Sequence, residues 1–275
     1  MTNNALTTPP VLVGYDDSRA GRSALELAAA EAAARSLPLC LLYRRDPMAW
    51  THPTSMAPYP ASFWRSANDD EQAAHAAAEA VQQRFPQVEV RLRGTQSSLP
   101  QALAGAAPSA AMLVVGGAAK QSALPSRRAA GVRLARKAGR PVLSANSAVP
   151  SDAAGSSQGP VVVAAAGSQV PGSALSFAFE EAAAYGVDVL ACGVWHDRGS
   201  ADAFSGAVRA TAAEHPEVAV RQVTLGGDDH AAHVPVLAEA RLMVLGGPES
   251  RWSPSWPVPR ELLRDWHRPI ATVPN

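Results

Sequence analysis

The amino-acid sequence predicts an α/β protein built as two tandem doubly wound sheets. Three observations predict this. Short apolar runs alternate with helical patterns, the series of runs occurs twice, and a stretch rich in Ser, Ala, Gly and Pro separates the two series. "VLVGYDDSRAGRSALELAAAEAAA" from Val11 and "VVVAAAGSQVPGSALSFAFEEAAA" from Val161 agree at about half their positions. In a second register "PQVEVR" from Pro86 answers "PEVAVR" from Pro216, and "MLVVGG" ending at Gly117 answers "LMVLGG" ending at Gly247. "GRPVL" from Gly139 answers "HRPIA" from His267. The expected organisation is a first domain over 1–148, a linker over 149–159 and a second domain over 160–275.

The elements of the first copy follow in order. Residues 11–15 form a β-branched and apolar run, as a strand buried on both faces requires. After Ser18, Leu25, Ala28, Ala29 and Ala32 recur at helical spacing and mark one apolar stripe. Leu39 to Tyr43 is the next strand. A Pro- and Trp-containing excursion then leads to an alanine-rich helix from Asp69 to Phe85. Val88 to Leu92 alternates as a third strand, and Pro100 to Ala107 is a short helix. Met112 to Val115 is the fourth strand, Ser126 to Ala138 a helix, and Val142 opens the fifth strand. In a sheet of this kind ligands bind outside the carboxyl ends of the strands, where the strand order reverses. Those ends are "GYDDS" and "GGAAK".

Composition narrows the function classes. The 275 residues are 47% hydrophobic and suffice for two cores. Lys plus Arg number 24 and Asp plus Glu number 24, so no basic excess points to nucleic acid or an anionic membrane as a partner. No apolar run approaches the roughly 20 residues of a membrane span. The start "MTNNALTTPP" lacks a basic segment followed by an apolar one, so a cytoplasmic protein is expected. Cys40 and Cys192 lie in strand-like runs and are read as small core residues, not as a disulfide or a metal knuckle.

The succession "VLVGYDDS", an alanine-rich helix, "LVVGG" about a hundred residues on and a closing "RPVL", met twice, resembles the universal stress protein family, and its two-domain members in particular. The resemblance implies five parallel strands per copy in the order 3-2-1-4-5, with the copies paired through their fifth strands about a pseudo-twofold axis. It also implies a choice, since some members of the family bind ATP and others do not. In binding members a loop of Gly, two residues, Gly, nine residues and Gly-Ser or Gly-Thr follows strand four, and its N–H groups close on phosphate.

The candidate ligand-binding residues are therefore Gly14, Asp16, Ser18, Gly116, Gly117, Arg127 and Arg128. Gly116 fits the first loop position, but Ala119 stands at the second, and Arg128 and Ala129 stand where the final Gly-Ser belongs. A Cβ where positive φ is needed costs roughly 1–2 kcal/mol, and a lost hydroxyl contact about 0.5–1.5 kcal/mol, so ATP binding is expected to be weak or absent. Arg127 and Arg128 offset part of this if they meet an anion, and are otherwise a solvated helix start. Asp16 matches the family's acidic residue facing the adenosine part of the nucleotide; Asp in a strand-to-helix turn also has local uses. Ser18 is placed to cap the following helix. In the second copy Ala166 replaces Asp16, and "PESRWSPSWPVP" follows Gly247 with four prolines, so that copy is expected to be nucleotide-silent.

Other constellations are weaker. His230 and His233 beside Asp228 and Asp229 lack a third fixed ligand, so no metal is expected. In "WHD", Trp195 to Asp197, neighbouring strand residues would point opposite ways. No nucleophile elbow or zinc helix occurs, so no catalytic residue is assigned. Trp252 and Trp256 either fill the second copy's vacated pocket or form a contact patch for another protein. The expected function is non-enzymatic: a stress-response or regulatory binding protein, monomeric through internal pairing of its copies. The alternative is an ATP-binding, slowly hydrolysing signalling module that uses the first copy.

Overall fold

The computed structural model describes residues 8–45, 66–117, 131, 133–146, 158–166, 172–195, 197–224, 237, 239–246, 266 and 268–274. In the first half the elements are β1 (Val11–Tyr15), α1 (Arg19–Ala34), β2 (Leu39–Arg44), α2 (Ser66–Arg84), β3 (Val90–Thr95), α3 (Leu99–Ala106), β4 (Met112–Gly117) and β5 (Val142–Asn146). The second half contributes β6 (Val161–Ala166), α4 (Gly172–Tyr185), β7 (Val189–Val194), α5 (Arg198–Glu214), β8 (Val220–Thr224), β9 (Leu242–Gly246) and β10 (Ile270–Val273). Residues 133–138, within the predicted Ser126 to Ala138 helix, are helical, and the rest of that helix except residue 131 lies outside the described residues.

The two five-stranded sheets join through their fifth strands, as the resemblance implies. They form one ten-stranded sheet in the order β3-β2-β1-β4-β5-β10-β9-β6-β7-β8. Within each half every pairing is parallel and the order is 3-2-1-4-5. The halves join where β10 runs antiparallel to β5, with Ile270 opposite Ser144 and Thr272 opposite Val142. Each fifth strand thereby satisfies the edge that the other would leave open. The remaining edges, β3 and β8, carry Arg91, Arg93 and Arg221, charges that oppose pairing with a further chain.

The sheet is buried differently on its two faces. Successive strand residues point to opposite sides, so Val11, Val13 and Tyr15 enter one core while Leu12 enters another. The first of these cores is continuous across both halves, joining Ala28 and Ala32 of α1 to Phe179 and Ala182 of α4. On the opposite face each half keeps its own core, around Leu103 and Leu113 in the first half and around Met243 and Trp266 in the second. Both cysteines are buried, and burial pushes the Cys192 thiol up to about 12.

The third strand differs from the sequence expectation. It starts at Val90 and runs to Thr95, where the alternation predicts Val88 to Leu92. Val88 is buried, but its N–H donates to the Phe85 carbonyl in the preceding turn at 3.0 Å. The ladder continues to Thr95 because its neighbour β2 extends to Arg44. At a sheet edge the polar residues Arg93 to Thr95 give no apolar signal of their pairing.

Candidate functional site

The carboxyl ends of β1 and β4 form the reversal point of the first half. Their ladder ends at Val13 opposite Val114, so Gly14 and Tyr15 part from Val115 to Gly117. The opening is filled from the side by the first turn of α1. A Cβ on Gly116 would lie 2.3 Å from the Ala20 carbonyl oxygen, so Gly116 is glycine because β4 passes against the helix backbone. Gly14 is backed by α3, and a Cβ there would lie 3.2 Å from a Leu103 methyl. Gly117 is paired within the sheet opposite Asn146.

The turn after β1 is organised by its own side chains. The Ser18 hydroxyl caps α1 by accepting the Gly21 N–H at 3.0 Å, as its position before the helix predicts. The same hydroxyl donates to Asp16 Oδ1 at 2.6 Å, and the Ser18 N–H donates to that oxygen at 3.2 Å. The exposed Asp16 carboxylate is therefore anchored through one oxygen to the cap. Gly21 makes room for it: a Cβ at Gly21 would lie 2.5 Å from Asp16 Oδ1.

Asp17 is the residue that sequence reasoning missed. Its φ is 54°, a left-handed conformation that Asp tolerates better than most side chains because it bonds locally. Tyr15 Oη donates to Asp17 Oδ1 at 2.8 Å, and Arg22 Nη1 donates to the same oxygen at 2.8 Å and to the Asp17 carbonyl at 2.6 Å. The Tyr15 hydrogen bond foremost, with Arg22 behind it, holds the Asp17 carboxyl below its ordinary range, though burial opposes this. Burial first, and Asp17 next, push the Tyr15 phenol upward. The available signal was the repeat itself, which sets Gly167 against Asp17 and so marks a position suited to positive φ.

The structure thus brings together Gly14, Asp16, Ser18 and Gly116 around the start of α1, with Gly117 one residue further along β4. Arg127 and Arg128, with Ala119 and Ala129, lie outside the described residues. So do Asp228, Asp229, His230 and His233, and the pair Trp252 and Trp256. Among the described residues no group of three or more His, Cys, Asp or Glu could hold a metal ion. Asp197 corrects the sequence reading of "WHD". Strand β7 ends at Val194, and Asp197 is the N-cap of α5, accepting from the Ser200 N–H at 2.8 Å and the Ser200 hydroxyl at 2.6 Å. Strand alternation therefore does not apply to it.

The matching end of the second half has different chemistry. Ala164 and Ala166 stand at the positions of Gly14 and Asp16, and β6 stays paired to β9 through Ala164 and Leu245. Beside it Trp195 folds back over Gly193, where a Cβ would clash with the indole, and packs on Phe204 at a centroid distance of 4.9 Å.

A doubly wound sheet with an acidic turn after its first strand and a glycine pair after its fourth defines the class: an α/β protein whose strand order reverses between β1 and β4. Residues 8–143 match the sequence model of the universal stress protein family, and through this half the chain belongs to that family. No curated protein matches the chain by sequence. Among solved structures, a universal stress protein from Archaeoglobus fulgidus DSM 4304 is similar at a TM-score of 0.64 and 13% identity, covering 97% of this chain and 96% of that one. A protein from Pseudomonas aeruginosa UCBPP-PA14, described as a candidate universal stress protein, is similar at 0.55 and 16% identity, covering 98% and 94%. The cytoplasmic domain of a prokaryotic cation chloride cotransporter is similar at 0.53 and 13% identity, covering 96% and 95%. These likenesses concern the fold. No helix among the described residues is long and apolar enough to cross a membrane.

Proposed function

We propose that this universal stress protein is a non-enzymatic stress-response or regulatory binding protein, and that its first half binds adenine nucleotides weakly or not at all. One observation carries the reading: the groups that would serve a nucleotide are engaged locally. The space beside Gly116 is taken by the Ala20 carbonyl, and Asp16 Oδ1 is held by Ser18. The loop sequence supports it, with Ala119, Arg128 and Ala129 in place of the glycines and hydroxyl that hold phosphate. On this reading the protein acts in the cytoplasm as a monomer and meets another protein through its second half, where Ala166 leaves no acidic contact. It needs no metal and carries out no catalysis.

A second reading keeps ATP as a ligand of the first half. The parting of β1 from β4 after Val13 and the exposure of Asp16 favour it. Calorimetric titration of the full chain with ATP and magnesium separates the two. Under the first reading the loop replacements weaken binding on the order of 10- to 100-fold relative to a glycine-bearing loop, and Asp16→Ala changes little. Micromolar or tighter affinity that Asp16→Ala abolishes establishes the second.

A further inference from the structure

The two halves meet over a group of buried charges at the ends of α1 and α4. Glu31 and Glu181 occupy the same position in the two repeats, and both are fully buried. Arg35, one turn after Glu31, reaches across to Glu181 in a close ion pair, while its Nε lies 3.4 Å from Glu31 Oε2. Arg241, in the turn before β9, places Nη2 3.4 Å from Glu31 Oε1 and 3.3 Å from Glu181 Oε1. Its guanidinium stacks on the Tyr185 ring, 3.2 Å from the centroid, and its buried Nε has no hydrogen-bond partner among the described residues.

The two carboxyls are not equally provided for. Glu181 takes the close contact with Arg35, whereas Glu31 has only long contacts with both cations. The best donor to Glu31 is neutral, the Tyr185 hydroxyl at 3.0 Å. Both carboxyls also lie in the last turn of a helix, where the helix dipole opposes negative charge. Beneath α1, strands β1, β4 and β5 contribute Val13, Val114 and Leu143, none of which titrates. Among the described residues, the groups shown facing Glu31 are thus Arg35, Glu181, Tyr185 and Arg241. Charging Glu31 sets a second anion beside Glu181, with both carboxyls buried.

We infer that Glu31 is a buried proton-binding site at the joint between the two halves, neutral while the joint is closed and ionised only against that closure. Burial first, and then the Glu181 charge, push the Glu31 carboxyl up to about 8, against the pull of Arg35 and Arg241. In the unfolded chain the same group titrates in the ordinary glutamate range. Between the two the native state holds a proton that the unfolded state has released. Stability contributed by this group is full below the ordinary glutamate range, falls as pH rises, and is gone above about 8. Acidification therefore tightens the joint and alkalinity loosens it.

Infrared spectra and urea unfolding of the full chain, from about pH 6 to about pH 9, test this. The wild type should show the carbonyl stretch of a protonated carboxyl at the acid end, fading toward the alkaline end and absent from Glu31→Gln. Removing the neighbouring anion with Glu181→Gln should move its midpoint to lower pH. The folded-to-unfolded ratio of the wild type should fall relative to Glu31→Gln by up to about tenfold per pH unit. A wild type without that band overturns the assignment whether or not either variant folds. So does a band that survives Glu31→Gln, a midpoint unmoved in Glu181→Gln, or parallel pH profiles for the wild type and Glu31→Gln.

Discussion

The helices α1 and α4 begin as the same piece of sequence and end as different pieces of chemistry. Both stop in the same Schellman arrangement: Leu37 N–H donates to the Ala32 carbonyl at 2.9 Å, and Val187 N–H to the Ala182 carbonyl at 3.0 Å. Both put a left-handed residue at the turn, Ser36 at φ 53° and Gly186 at φ 62°. The strand entries also agree, since Ala111 N–H donates to the Pro10 carbonyl and Arg241 N–H to the Pro160 carbonyl. Against this shared backbone, Ala29 faces Phe179 in the alignment, Arg35 faces Tyr185 and Ala111 faces Arg241. The comparison teaches that the repeat preserves where the chain turns, while the side chains at those places have been free to serve the joint between the halves.

Making the second half like the first should have its largest effect at Phe179. This ring is fully buried where the first half has Ala29, so Phe179→Ala should cost about 3–5 kcal/mol through lost burial and a cavity. Urea unfolding measures it, and a loss under about 1 kcal/mol would mean that the core shared across the halves closes over the gap.

A smaller effect is expected where the halves differ in their crevice. Gly116→Ala drives a methyl against the Ala20 carbonyl and should cost about 1–3 kcal/mol. If Gly116 instead served only a ligand, the thermal midpoint of the unliganded protein would be unchanged. The smallest effect sharpens the likeness of the two helix ends. Ser36→Gly relieves a Cβ from a left-handed position and should stabilise by about 1 kcal/mol, while Gly186→Ser should destabilise by a similar amount. Equal and opposite shifts in urea midpoint would show the two turns to be equivalent; shifts of the same sign would break the comparison.

Much of the fold could be read from the chain. The period of Leu25, Ala28, Ala29 and Ala32 marks the buried stripe of α1, and Ser18 is found at its cap. The runs at Val11, Leu39, Met112 and Val142 are all strands. These signals are local, since burial on both faces or on one stripe dictates the residues directly. The candidate site was legible only in part. Asp16 and Gly116 are found at the reversal point, but the conformation of Asp17 and the need for Gly21 depend on how the turn folds back on α1.

By itself, then, the sequence determined the order of elements, the repeat and the composition of the core, because each follows from periodic burial within one short segment. Only the tertiary structure decided that Arg35 reaches Glu181 and that Arg241 comes to rest on Tyr185. Glu31 and Glu181 are 150 residues apart in the chain, and each alone looks like an ordinary charge on an alanine-rich helix. Their meaning comes from joining β5 to β10, which buries both carboxyls at once and sets the Glu181 charge beside Glu31.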